Sequence, residues 1–145
     1  MREYCYCKVK LDEGARLPER KHEDDAGYDI YANTDMTINP GEIAIVPTGV
    51  HIEPAFDWYV QIVPRSGLAA KHGITVLNTP GTIDSNYRDE IKVIMINHGF
   101  SSYPVFKGDR IAQMIFTPSY RAAFVKVEEL SDSDRGLGGL GSTGK

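Results

Sequence analysis

The chain ends in RGLGGLGSTGK, eleven residues that match two phosphate-binding spacings at once. Gly136, Gly138 and Gly141 form G-x-G-x-x-G, and Gly139, Gly144 and Lys145 form G-x-x-x-x-G-K. Both patterns act by delivering an anion to the N-terminus of a following helix, and no residue follows Lys145 to build one. One arginine, two hydroxyls and the glycines, whose N–H groups can converge on an anion, nevertheless make a set suited to phosphate. A passive, disordered tail is the other reading.

Four more segments set polar residues against turns or strand ends. In PRSGLA, Pro64 fixes the entry, Arg65 offers a planar fork of donors, and Ser66 and Gly67 supply a hydroxyl and a helix-start N–H. That is a phosphate seat or simply a capped turn. GTIDSNYRDEIKV carries Asp84 and Tyr87 between two strands, where an acidic residue commonly caps local backbone. AGYDIYA sets Asp29 between Tyr28 and Tyr31, after the acidic run Glu23, Asp24, Asp25. KGDRIAQMIF puts Arg110 and Gln113 on a strand after Gly108, where both also suit an outward-facing edge. The residues of each segment alone fit either reading.

The elements that must hold these segments are short strands. CYCKVKL, EIAIVPTGVHIE, WYVQIV, ITVLN, EIKVIMIN, RIAQMIF and AFVKV read as strands, separated by turns at Asn39-Pro40-Gly41, Pro47-Thr48-Gly49, Thr79-Pro80-Gly81 and Lys107-Gly108-Asp109. SGLAAKHG is the one helix candidate, closed by Gly73. The chain is therefore expected to be all-β, a sandwich or barrel. EIKVIMIN is apolar on both faces, with Ile91, Val93 and Met95 on one and Ile94 and Ile96 on the other; a second sheet or another subunit must cover it. Residues 131–145 hold too little apolar surface to order themselves and read as a mobile arm beside a 1–130 domain.

At 145 residues one domain suffices, and 41% hydrophobic with 25% charged residues suits a soluble globular protein. No apolar run approaches a membrane span, and MREYCYCKVK has no secretory h-region, so a cytoplasmic location is expected, or a nuclear one in a eukaryotic or viral setting. Cys5 and Cys7 lie two apart, too constrained for an ordinary disulfide and too few for a metal site. A net charge of −4 argues against nucleic acid or an anionic membrane as partner. Any bound phosphates need local arginines, backbone N–H groups and a divalent cation.

In order and spacing, AGYDIYA, PRSGLA, GTIDSNYR, GDRIAQ and RGLGGLGSTG resemble the five motifs of the trimeric dUTP diphosphatases (dUTPases), from about residue 26 to the C-terminus. The resemblance implies a β jelly roll, a homotrimer, and active sites shared between subunits, each closed by a neighbour's arm. It implies hydrolysis of dUTP to dUMP and pyrophosphate by in-line attack of water on the α-phosphorus. That reaction keeps uracil out of DNA and supplies dUMP for thymidylate synthesis. Asp84 is the implied catalytic residue, orienting or deprotonating the water. Arg65, Ser66, Gly67 and Gln113 are implied to hold phosphates from the body, and Arg135, Gly141, Ser142 and Thr143 from the arm.

Mg2+ is implied on triphosphate oxygens and water, with no direct protein ligand and Asp29 at most behind a metal-bound water or pairing an arginine. The hairpin over residues 76–93 is implied to read the base: Asn78 and backbone groups pair the uracil edge, and a close strand excludes the thymine methyl. Thr82, Ile83 and Lys92 count among its substrate contacts, and Tyr87 lies under the deoxyribose, leaving no room for a 2′-hydroxyl. Two residues depart from the family pattern. Leu140 stands where phenylalanine usually stacks on uracil, and Asp89 where glycine is usual, which would strain the chain if that position needs φ > 0. A dCTP deaminase-like enzyme would need one more acid–base residue than these motifs offer. A dUTPase-like trimer with an added regulatory, protein-binding role is the remaining alternative.

Overall fold

The computed structural model describes residues 4–144. Lys145, the last position of the G-x-x-x-x-G-K spacing, lies outside the described residues. Eleven strands and one helix follow in order: β1 (Cys7–Leu11), β2 (Tyr28–Tyr31), β3 (Met36–Ile38), β4 (Ile43–Pro47), β5 (Val50–Pro54), β6 (Trp58–Val63), α1 (Ser66–His72), β7 (Ile74–Val76), β8 (Gly81–Ile83), β9 (Lys92–Asn97), β10 (Tyr103–Val105) and β11 (Arg110–Pro118). All pairings are antiparallel. They give sheets ordered β2-β11-β6-β8 and β4-β9-β7, with the pairs β1-β5 and β10-β3. This is the all-β, jelly-roll class expected.

Alternation decides which side chains enter the core. In β4 the buried positions are Ala44 and Val46, in β5 Val50 and Ile52, and in β6 Val60 and Ile62. Ile30, Ile38, Ile74, Ile91, Met95, Ile111 and Met114 complete the interior, each almost fully enclosed. Each such side chain stabilises the fold by roughly 1.5–3 kcal/mol of transfer energy before entropy is counted. EIAIVPTGVHIE is two strands, because Gly49 turns the chain at φ +68. An added Cβ there would meet the Ala15 Cβ at 2.6 Å, so the turn needs glycine for space as well as torsion.

Strand β9 keeps the two-faced character of its sequence. Ile91, just before it, and Val93 and Met95 within it point inward, while Ile94 and Ile96 are half-buried on the outside. Their partners across the ladder are Ile45 and Ile43, which are 58% and 55% exposed.

Two expectations are corrected. AFVKV forms no strand: residues 120–130 join no sheet, and Phe124 and Val125 stand 96% and 80% exposed. Its apolar, β-branched character is real, but within one chain no free strand edge meets it. Asp89 is also unstrained, because no non-glycine residue among those described has a positive φ. Its Oδ1 instead accepts the Glu90 N–H at 2.7 Å, a local turn bond that glycine could not make.

Candidate active site

Strands β2, β11 and β6 lie side by side, with Gln113 opposite Asp29 on one neighbour and Val63 on the other. β6 then runs through Pro64 into α1. Arg65 sits at the helix N-cap in extended conformation (φ −95, ψ 127) and provides no side-chain cap, leaving its guanidinium for other partners. The helix closes at Gly73 in the left-handed region, φ +67. These elements bound a polar cavity of about 490 Å³, lined by Arg65, Ser66, Gly67, Arg110, Gln113 and Asp29, with Lys21 and Asp25 at its side.

The charges inside are ordered by Asp29. Its Oδ1 lies 3.2 Å from Nε of Arg65 and its Oδ2 3.7 Å from Nη1 of Arg110. Arg65 Nη1 donates to the Arg110 carbonyl at 3.4 Å, and Gln113 Nε2 donates to the Pro64 carbonyl at 2.9 Å. Three cations (Lys21, Arg65, Arg110) thus face two carboxylates (Asp25, Asp29), a local positive excess in an acidic chain. Such a set suits a polyanion.

Arg110 was placed on its strand from sequence but given no role at the site, and Lys21 was not singled out. Simple alternation puts Arg110 and Gln113, three apart, on opposite faces of their strand. A bulge between Arg110 and Ala112 shifts the register and brings both into one cavity. Gly27 was also missed: a Cβ there would fall against Oε1 of Gln113.

The second group of expected residues lies on residues 78–92, and this stretch is not the hairpin expected: β8 pairs with β6, while β9 pairs with β4 and β7 in another sheet. Asn78, Thr82, Asp84 and Lys92 are exposed, Ile83 is half-buried, and Tyr87 is 37% exposed. The loop is wound tightly: Tyr87 N–H donates to Asp84 O at 3.1 Å, Tyr87 Oη to Glu90 O at 2.8 Å, and Arg88 Nη1 to Ser85 O at 2.6 Å. None of these residues lines the Arg65 cavity. The Thr79–Pro80 bond, between β7 and β8, is cis.

The arm is a third group. Arg135 turns onto its own segment, donating from Nε to Gly138 O at 2.7 Å and from Nη2 to Gly139 O at 3.2 Å and Ser142 Oγ at 3.4 Å. Gly136, Gly138, Ser142 and Gly144 N–H groups bond to carbonyls three residues back. Leu137 and Leu140 are fully exposed, and Gly141, Ser142 and Thr143 face solvent. One chain therefore holds three separate sets: a cationic cavity, a loop with an exposed carboxylate, and an arm folded on itself.

Among the described residues, no three His, Cys, Asp or Glu side chains gather as a metal-ligand set. Asp29, the carboxylate nearest the expected phosphates, is engaged by two arginines. The cavity fits a divalent ion carried by a polyphosphate and its waters, and does not fit a metal held by protein ligands alone.

A jelly roll with a cavity of this composition is the frame of a protein that binds a phosphate-bearing ligand, and comparison gives the family. The dUTPase sequence family matches residues 13–144. The deoxyuridine 5′-triphosphate nucleotidohydrolase of Nautilia profundicola is 52% identical over 136 residues, covering 94% of this chain and 96% of the relative. That of Clostridium tetani is 50% identical over 145 residues, covering all of both. Among solved structures, the Staphylococcus bacteriophage 80alpha dUTPase with dUpNHpp superposes with a TM-score of 0.88 at 29% identity, over 97% of this chain and 99% of that one. A mutant dUTPase from phage phi11 of S. aureus, described with a structural Mg(II) ion, gives 0.80 at 25% identity, over 86% and 97%. The chain belongs to the dUTPase family.

Proposed function

We propose that this protein hydrolyses dUTP to dUMP and pyrophosphate in active sites assembled from different copies of the chain. The observation that carries the reading is the separation just described. Arg65 with its cavity, Asp84 with its loop, and the arm are each suited to one part of a nucleoside triphosphate, and they do not meet within one chain. The apolar outer face formed by Ile43, Ile45, Ile94 and Ile96 supports a second and third copy covering it. So does the unpaired stretch around Phe124 and Val125, which awaits a partner strand.

In this assembly Arg65, Ser66, Gly67 and Gln113 hold the phosphates of the substrate, with Arg110 adding charge beside them. Neutralising the triphosphate lowers the repulsion that a phosphoanhydride presents to an incoming nucleophile. Asp84 holds and deprotonates the attacking water, aimed along the line of the leaving pyrophosphate. Asn78 and the backbone of residues 76–93 select uracil, Thr82, Ile83 and Lys92 frame the substrate, and Tyr87 rejects the 2′-hydroxyl. The arm then exchanges its internal bonds for bonds to phosphate: Arg135, Gly141, Ser142 and Thr143 close over the far end, and Leu140 covers the base without a stacking ring. A triphosphate-borne Mg2+ would supply further charge neutralisation, and Asp29 could accept a hydrogen bond from its waters. None of the helices among the described residues is long and apolar enough to cross a membrane; we place the reaction in the cytoplasm, or in the nucleus if the host is eukaryotic or viral.

A pyrophosphate-release assay with Mg2+ across dUTP, UTP, dTTP and dCTP tests reaction, base and sugar choice together. Turnover confined to dUTP is expected. Release of ammonia from dCTP would replace this reading with a deaminase.

A further inference from the structure

His51, on β5, was given no part in the site above, yet it touches the loop between β8 and β9 that carries Asp84 and Tyr87. Its Nδ1 lies 3.0 Å from the Arg88 carbonyl oxygen, and its Nε2 lies 3.1 Å from both carboxylate oxygens of Asp12. A carbonyl and a carboxylate can only accept. A neutral imidazole carries one N–H, so one of the two contacts would set a lone pair against an oxygen. The geometry is satisfied by the imidazolium, which donates at both ends.

The rest of the loop explains why this bond matters. Residues 84–90 otherwise bond among themselves: Tyr87 to Asp84 and Glu90, Arg88 to Ser85 and Tyr87, Glu90 to Asp89. Among the described residues, their one hydrogen bond to the body of the protein is His51 on the Arg88 carbonyl, supplemented by an Arg88–Glu53 ion pair at 4.0 Å. Tyr87 immediately precedes that carbonyl. We propose that His51, as a doubly donating imidazolium between Asp12 and the Arg88 carbonyl, is the positioning residue that holds Tyr87 against the deoxyribose. The proposal rests on the reading of Tyr87 as the sugar gate.

The surrounding charges favour the protonated ring. The Arg88 carbonyl first, and the Asp12 carboxylate second, raise its pKa above the ordinary value, against partial burial and the charge of Lys10, its cross-strand neighbour. Lys8 is paired with Glu53 at 3.1 Å, and the side chains of Arg88, Asp89 and Glu90 complete the charged set on the facing elements. Because the folded pKa is raised, the bridge is complete below the ordinary histidine pKa and is lost as pH rises through the raised value. Loop fixation is therefore strongest in mildly acidic to neutral solution.

The test is the ratio of kcat/KM for dUTP to that for UTP, measured with Mg2+ from pH 6 to 9. Protonation of Asp84 and metal loading act on both substrates alike and cancel in the ratio. In the wild-type protein the ratio is expected to fall by about tenfold with rising pH, the scale of one charge-assisted hydrogen bond. The midpoint should coincide with the His51 titration followed by NMR. Asp12→Asn should move both midpoints down together, and His51→Asn should hold the ratio low and flat. A wild-type ratio independent of pH overturns the proposal without any substitution, as does a midpoint that Asp12→Asn leaves in place. Tyr87→Ala, measured in parallel, separates the two ideas. If it leaves the ratio high, both the sugar gate and the role of His51 fall; if it collapses the ratio while His51→Asn does not, only the role of His51 falls.

Discussion

Asp29 Oδ1 and Arg65 Nε lie 3.2 Å apart, and the other oxygen of the same carboxylate reaches toward Arg110. One acid thus fixes the direction of two guanidinium groups that would otherwise sweep the cavity. Removing its charge frees both arginines without removing either. Asp29→Asn is expected to raise KM for dUTP by roughly tenfold, the scale of a lost charge-assisted hydrogen bond, with kcat changed much less. Steady-state kinetics check this; a fall in kcat at constant KM would move Asp29 into the chemical step.

Gly27 gives an independent handle on the same cavity. A methyl group at this position would press on Oε1 of Gln113 and lie 3.1 Å from its Cδ, the movable end of a flexible side chain. The glutamine should swing away and lose its bond to the Pro64 carbonyl, with little cost to the fold. Gly27→Ala should therefore leave Tm within about 2 °C while raising KM several-fold, in keeping with a surface change that spares the core. A large loss of Tm would show that the position serves packing instead.

WYVQIV was legible in the sequence because burial of one face imposes a period of two, and EIKVIMIN because its run is apolar on both faces. Of the four three-residue strands only β7 was legible, inside ITVLN; β3, β8 and β10 were not, since so few residues cannot display a period. AFVKV carried a strand's composition with no pairing partner in its own chain. At the site, Arg65, Ser66, Gly67 and Gln113 could be chosen in advance and do share a cavity. Arg110 was hidden by the bulge that reverses its facing, and His51 by the distance along the sequence between β5 and the loop it holds.

Cys7 should be an unreactive thiol despite its place near the chain start. Burial above all, then Cys5 and Glu53 nearby, push its pKa up to about 11, against the opposing effects of a Glu53 backbone hydrogen bond and the Arg88 charge. At pH 8 its thiolate fraction is of order 0.1%, so alkylation should run about a hundredfold slower than for free cysteine. The same shift has a stability consequence. A raised folded pKa means stability holds below the unfolded value near 9 and declines as pH climbs toward 11. Iodoacetamide kinetics with peptide mapping, and Tm against pH for Cys7→Ser beside wild type, measure both effects.

Asp84 sits exposed at the end of β8, its backbone carbonyl accepting from Tyr87 while its side chain faces outward. A group so placed can be changed without disturbing the loop. Asp84→Asn keeps the shape and removes the base, so kcat should drop by about 10²–10⁴-fold, the usual contribution of a positioned general base. Binding of a non-hydrolysable analogue, followed by calorimetry, should weaken by no more than a few-fold. Near wild-type turnover would take Asp84 out of the reaction.

Sharing of the site between copies is open to a complementation test that no single-chain enzyme can pass. Ile45 is 58% exposed and lies opposite Ile94 on the outer face of β4-β9-β7. Ile45→Glu introduces a charge that cannot be desolvated there, and light scattering should find solitary chains with intact β-structure and more than about 100-fold less turnover. Two other chains keep the face but each lack one part of the site: Arg65→Ala has no phosphate fork, and deletion of residues 135–145 removes the arm. Among the described residues the arm's hydrogen bonds run within the arm itself, so the deletion should fold and assemble. Each preparation alone should be nearly inactive. Unfolded together and refolded as a mixture, they should regain a sizeable fraction of wild-type activity, because some sites then combine an intact Arg65 from one chain with an intact arm from another. If activity stays at the level of the separate parents while mixed oligomers form, arm and cavity belong to the same copy and the shared site is wrong.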